Sequence, residues 1–340
     1  MIPLSVLDLV PVCEGGTVGQ AMVAAAALAR EAEELGYNRY WVAEHHGMPG
    51  IAGGATAVVL AHVGAATTSI RIGAGGVMLP NHNPFVIAEQ YGTLDALYPG
   101  RIDLGLGRAP GADGRVAQML HKDIGQASQY FPQDILELRA LFAGDPGLPL
   151  QATPGQGARV AMWVLGSSMF GASLAAHLGL PYAFASHFAP DELDGALRTY
   201  RARFQPSPQL AQPYVMVGMG VFCADTDAEA EYLASSQDQA FIALRTGAPG
   251  RIKPPVMGYR DSLPPAHRRI LDHMGEAAAI GSPETVRRKI AAFVARTGAD
   301  EVIVAGATFD PAVRRRSLAL TMAALAPSAA PGDAAALASG

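Results

Sequence analysis

Cysteine is nearly absent from this chain of 340 residues, which has only Cys13 and Cys223. Two distant thiols cannot make the disulfide framework of a small secreted scaffold. Charge is also sparse, at 16% of residues with a net charge of −5. A mildly acidic chain carries no general electrostatic footprint for nucleic acid or for an anionic membrane. One basic run, Arg314-Arg315-Arg316, falls in an expected C-terminal helix and reads as a solvated helix face. No uninterrupted apolar stretch reaches about 18 residues, so no membrane span is expected. The opening MIPLSVLDLVP lacks the basic segment of a secretory leader. These features together point to a cytoplasmic protein.

Half the residues are hydrophobic, ample material for a buried core. Some of them form eight short runs: Ile2–Leu9, Tyr37–Val42, Ile70–Ala74, Ile102–Leu106, Val160–Leu165, Tyr182–Ala185, Tyr214–Val217 and Glu301–Ala305. The runs are almost continuously apolar, as strands buried on both faces must be. Amphipathic stretches separate them. Val18, Met22, Ala25, Ala29 and Ala32 recur at helical spacing behind Thr17, a suitable N-cap. Asn83-Pro84 and Ser282-Pro283-Glu284 open further helices with a cap followed by proline. Gly36, Gly100, Gly179 and Gly298 each close a helical run just before a strand, the place of a left-handed C-cap.

Strand, helix, glycine and strand in repetition mean parallel βαβ units. Eight of them predict a single-domain (β/α)8 TIM barrel over residues 1–325. A doubly wound open sheet is the alternative, but no Gly-x-Gly-x-x-Gly follows the first strand. The segment Arg245–His273, with five prolines, predicts an insertion between strands 7 and 8 that could act as a lid. The Ala/Pro/Gly/Ser stretch from Ala326 to Gly340 reads as a disordered tail.

Barrel enzymes carry their chemistry at the C-terminal ends of the strands. Those ends hold Glu44-His45-His46, Gly75-Gly76, Gly107-Arg108, Gly166-Ser167-Ser168 and Ser186-His187-Phe188. Each has a structural reading beside the functional one. Arg108 could pair with Asp103 or Asp113, and Gly166-Ser167-Ser168 could be no more than a helix N-cap. Hydroxyls and free N–H groups at a helix start also suit an anion, and with an arginine nearby, a phosphate. No metal is expected: neighbours on a strand point to opposite faces, which makes His45 and His46 poor co-ligands unless the strand has already ended, and no His-x-His or His-Glu-x-x-His occurs. Gly166-Ser167-Ser168-Met169-Phe170-Gly171 is not a nucleophile elbow.

In order along the chain, Ala43-Glu44-His45-His46, Ile72 to Pro80, Pro99 to Arg108, Leu165-Gly166-Ser167-Ser168, Ala183 to Phe188 and Gly281-Ser282-Pro283-Glu284 resemble the bacterial luciferase-like monooxygenases. The resemblance spans most of residues 1–325. It runs to the luciferase-family oxidoreductases rather than to light-emitting subunits, since Gly107 stands where those carry a reactive cysteine. It implies a barrel that binds reduced FMN, delivered by a separate flavin reductase. Such an enzyme adds one oxygen atom from O2 to a small organic substrate through a flavin C4a-hydroperoxide. It implies His45 as the active-site histidine and Gly75-Gly76 as a cis peptide beneath the flavin ring. Arg108 and Gly166-Ser167-Ser168 would lie at the flavin phosphate. Coenzyme F420 with hydride transfer, as in sister families, and a non-enzymatic flavin-binding role are the alternatives. A homodimer is expected through the helices of Ala55–Thr68 and Pro84–Leu97.

Overall fold

In the computed structural model, residues 2–109, 118–119 and 124–326 are described. Asp113 and residues 327–340 of the expected tail lie outside them. Seven strands come first: β1 (Leu4–Asp8), β2 (Arg39–Val42), β3 (Arg71–Met78), β4 (Ile102–Gly107), β5 (Ala161–Gly166), β6 (Tyr182–Phe184) and β7 (Val215–Cys223). Two more follow, β8 (Ala278–Gly281) and β9 (Glu301–Ala305). All pair in parallel, and the pairings β6–β7, β7–β9 and β9–β1 close eight of them into the expected barrel.

β8 is a strand that the sequence pattern does not predict. It pairs only with the upper part of β7, in the register Gly220↔Ala278 to Cys223↔Gly281, and lies outside the closed ring. Ala-Ala-Ile-Gly is short and poor in β-branched residues, so neighbouring β7 rather than local propensity makes it a strand. β3 and β7 run longer than expected, carrying Gly75-Gly76 and Gly218 up to the barrel mouth.

Side chains alternate across each strand, and one set fills the barrel. At the N-terminal ends this set is polar. Arg39 donates to Asp103 at 2.8 Å and to Glu301 at 3.0 Å, Tyr214 donates to Glu301 at 2.8 Å, and Ser5 donates to the same carboxylate. The middle layer is apolar: Leu7, Trp41, Trp163, Met216 and Ile303, with the two indoles edge-to-face at 5.2 Å. The uppermost residues are small, among them Ala43, Gly75, Gly107, Gly218 and Ala305. Bulk below and small residues above leave a shallow floor at the C-terminal mouth.

The caps behave as composition predicts. Thr17 and Gln20 form a complete capping box on the helix Val18–Glu34. Replacing Thr17 with alanine is expected to cost about 1 kcal/mol in denaturant unfolding, the ordinary worth of such a cap. Gly36, Gly100, Gly179 and Gly298 all have positive φ. The basic run near the C-terminus departs from expectation. Arg314 is buried and pairs with Asp8 at 2.6 Å, tying the helix Pro311–Leu325 to the end of β1. Only Arg315 and Arg316 behave as a surface face, with Glu31 and with Asp225.

Arg245 ends the long helix Asp227–Arg245, and the segment after it is held at both sides of the mouth. Ile252 exchanges backbone hydrogen bonds with Val12 and Glu14 in the loop after β1. Arg260 forms a two-pronged ion pair with Asp238, at 2.8 and 3.2 Å, on the helix after β7. Two further helices, Tyr259–Ser262 and Pro265–Gly275, lead on to β8.

Candidate active site

The residues singled out from sequence all reach the C-terminal mouth. His45 follows β2, Gly75-Gly76 lies within β3, Arg108 follows β4 and Gly166-Ser167-Ser168 ends β5. The Gly75–Gly76 peptide is cis, as the resemblance implies. A β-carbon at Gly76 would come within 2.6 Å of the Gly105 carbonyl oxygen, and one at Gly75 within 2.8 Å of Trp41. The pair therefore admits no side chain, and the β3–β4 register shifts there.

Glu44, next to the expected histidine, organises this side of the mouth, a role the sequence reading passes over. Its carboxylate is 1% exposed. One oxygen accepts from His46 Nε2 at 2.7 Å and from His82 Nε2 at 2.8 Å, and the other accepts the Met78 N–H at 3.1 Å. Its own backbone N–H points to the Gly76 carbonyl at 3.4 Å. Burial alone would raise the Glu44 carboxyl, but the hydrogen bonds from His46 and His82 outweigh it and hold the group at about 2. The bond to Glu44 raises His46, partly opposed by burial. Glu44, His46 and His82 are ligand types found at metal centres, and their ligand atoms lie within 4.8 Å of one another. His45 is not in this group, in keeping with the divergence expected of adjacent residues. The carboxylate already receives three donors, so the cluster reads as a hydrogen-bond network tying β2 to the Gly75-Gly76 bend. In sequence His82 stands 38 residues beyond Glu44, too far for local spacing to join the two.

His45 faces differently. Its Nδ1 is sealed from solvent and has no hydrogen-bond partner. Burial lowers its pKa, with Glu44 opposing and His46 adding to the shift. His187, after β6, shares this condition: its Nδ1 is sealed and unpartnered. Burial and the nearby His45 push it down to about 4. The mouth thus presents two neutral imidazoles close enough to influence each other, both with hydrogen-bonding capacity left over. Buried polar atoms without partners are uncommon and call for an account.

Across the mouth, Arg108 is exposed, and its guanidinium lies 4.2 Å from the centre of the Phe170 ring. Phe170 is two residues past Ser168, so Arg108 and the Gly166-Ser167-Ser168 turn are brought together. The pairing of Arg108 with Asp103 does not occur. Asp103 begins β4 at the opposite end of the barrel, where it binds Arg39, Arg71 and Trp41. Ser168 is the N-cap of the helix Met169–Leu178, but its hydroxyl makes no capping bond. Glu192 instead accepts the Met169 N–H at 2.9 Å. A carboxylate at that N-terminus competes with any other anion there. Glu192→Gln is expected to tighten binding of inorganic phosphate at this turn by about two- to fivefold, the worth of a surface helix-end charge, in a phosphorus NMR titration.

Eight parallel strands, a sealed apolar middle layer and polar groups gathered at one mouth define a small-molecule enzyme barrel. The sequence profile of the luciferase-like monooxygenase family matches residues 4–301. A luciferase-like monooxygenase of Escherichia coli K12 is 46% identical over 322 residues, covering 94% of this chain and 96% of its own. YvbT, an uncharacterised protein of Bacillus subtilis 168, is 47% identical over 316 residues, 92% and 94% of the two chains. The crystal structure of apo-MsnO8 is similar at a TM-score of 0.85 and 34% identity, covering 95% of this chain and 98% of its own. The chain belongs to the luciferase-like monooxygenase family, and so to the oxidoreductases. Two more distant structures share the fold alone. One is the oxygenating constituent of 3,6-diketocamphane monooxygenase of Pseudomonas putida with FMN, at a TM-score of 0.72 and 19% identity over 96% and 99% of the chains. The other is an F420-dependent secondary alcohol dehydrogenase, at 0.71 and 15% over the same shares. Among the described residues, no helix is long and apolar enough to cross a membrane.

Proposed function

We infer that this chain is an FMN-dependent monooxygenase that adds one oxygen atom from O2 to a small organic substrate. The observation that carries this reading is the pair of unpartnered neutral histidines, His45 and His187, at a mouth floored by glycine and alanine. A flavin mononucleotide needs a flat floor, hydrogen-bonding groups beside its ring and a cationic or N–H-rich end for its phosphate. The residues fit those needs. Gly75-Gly76 would carry the ring, and Arg108 with Gly166-Ser167-Ser168 would hold the phosphate. Bound in reduced form, FMN supplies the electrons that activate O2.

The chain supplies position, dryness and proton control. Glu44 fixes the β2 end against the Gly75-Gly76 bend through Met78. His45, kept neutral by burial, can hold a proton on one ring nitrogen and accept one on the other, as a general acid or base must. Residues 245–273 are anchored to the loop after β1 and to the helix after β7, and would serve as the lid that keeps water from the mouth. A separate flavin reductase delivers the reduced cofactor. The helices Thr56–Ala65 and Pro84–Leu97 expose Val58, Val86 and Leu97, which supports a homodimer through them.

Anaerobic titration with reduced FMN and with reduced F420 tests the cofactor. Saturable binding of FMN, at least tenfold tighter than F420, is expected. Binding of the deazaflavin alone would overturn the reading in favour of hydride transfer.

A further inference from the structure

Beside His187 the mouth opens into a cleft between β7, β8 and the helices Asp227–Arg245 and Pro265–Gly275. Its walls are mainly apolar, from Phe222, Phe241, Leu271, Met274 and Ile280. The charges in the wall are committed to each other, because Arg260 grips Asp238 with two hydrogen bonds. Gln237 uses its amide oxygen to accept the Ala307 N–H at 2.8 Å. Among the described residues lining the cleft, His187 alone has a sealed polar atom without a partner. Its sealed Nδ1 lies over Gly218, where a β-carbon would come within 2.1 Å of it, so the ring must turn to present that nitrogen to the cleft. Arg245 remains outside, stacked on Phe188 and Phe241 at the rim.

We propose that this cleft is the organic-substrate pocket, that His187 is the specificity-determining residue in it, and that the substrate is a neutral, largely apolar molecule bearing one hydrogen-bonding oxygen. An apolar wall rewards burial of hydrocarbon. A neutral imidazole donates or accepts one hydrogen bond and offers no charge to an anion. A carboxylate entering the cleft would lose its hydration and find Arg260 already engaged, which disfavours it. The substrate class rests on the flavin-barrel reading, whereas the binding claim stands on the cleft itself.

Ligand-observed NMR on the whole chain, with the imidazole nitrogens followed in long-range proton–nitrogen spectra, tests this without turnover. The probes are cyclohexanone and cyclohexanecarboxylate, and FMN is titrated in parallel. Cyclohexanone is expected to shift the His187 ring signals and to bind about tenfold more tightly than the carboxylate, the worth of one well-placed hydrogen bond in a dry site. His187→Leu is expected to weaken cyclohexanone by about tenfold with a urea-unfolding midpoint no lower than that of the wild type, which also shows that the variant is folded. His187→Gln, which keeps a hydrogen-bonding group, should retain most of the binding. Equal binding of the two probes, or unchanged cyclohexanone affinity in His187→Leu, would overturn the proposal. A wild-type chain that binds cyclohexanone at His187 but not FMN would overturn the flavin reading and support the pocket.

Discussion

Glu44→Ala is expected to lower the unfolding free energy by about 3 kcal/mol, the scale for breaking a buried, multiply hydrogen-bonded carboxylate. Three donors lose their acceptor at once: His46, His82 and the Met78 N–H. The loss reaches function through geometry, because Met78 lies two residues past Gly76, in the strand whose Gly75-Gly76 bend floors the mouth. FMN affinity should therefore fall together with stability. The pH dependence has a definite sign. Glu44 is held at about 2, below its ordinary value of 4.5. A depressed carboxyl contributes stability above its unfolded pKa and loses it as pH falls through the folded one. His46 is raised, so its contribution is full below its ordinary value of 6.5 and fades as pH rises through the raised one. Together they place the network's greatest contribution between about pH 4.5 and 6.5. Urea denaturation across pH checks this. Glu44→Gln should remove the network's share of the acid limb, and a variant with unchanged acid sensitivity would contradict the assignment.

His45→Ala is expected to lower turnover about 10²- to 10⁴-fold, the range for a positioned general acid or base, while the fold survives. His45 has no hydrogen-bond partner to leave behind, so its removal orphans nothing. Stability should change little and the FMN dissociation constant by no more than a few fold. The two variants therefore separate two roles of adjacent residues. Glu44→Ala damages stability and cofactor binding, whereas His45→Ala spares both and removes catalysis. Steady-state O2 consumption coupled to product formation reads the difference. Turnover within tenfold of wild type in His45→Ala would place the proton chemistry elsewhere, with His187 the next group to replace.

Much of the fold was legible because buried parallel strands write continuous apolar runs and helix exits write glycine. The eight barrel strands and the four positive-φ glycines followed from those marks, two of the glycines, Gly179 and Gly298, as left-handed C-caps. β8 was not legible, since its strand character comes from an edge that β7 offers. The burial of Arg314 was hidden for a similar reason: only the tertiary position of Asp8 turns a basic run into one buried arginine and two surface ones. At the site, sequence located the strand ends but not the partnerships. His45 and His46 are neighbours in sequence with opposite fates, one unpartnered and one bound to Glu44. His82 lies 36 residues further on, and no local periodicity connects it to them. Asp103 looked available to Arg108 only because a strand's two ends are close in sequence, although they lie at opposite ends of the barrel.

The central claim is that a flavin lies in this mouth with its phosphate at Arg108 and the Gly166-Ser167-Ser168 turn. Comparing FMN with riboflavin, which lacks only the phosphate, tests it directly in wild type and in Arg108→Ala. A charge-assisted contact of about 1.5–3 kcal/mol predicts that wild type prefers FMN by at least about tenfold and that Arg108→Ala loses most of that preference while holding riboflavin as before. Equal affinity for FMN and riboflavin in wild type, or a preference untouched in Arg108→Ala, would contradict the account.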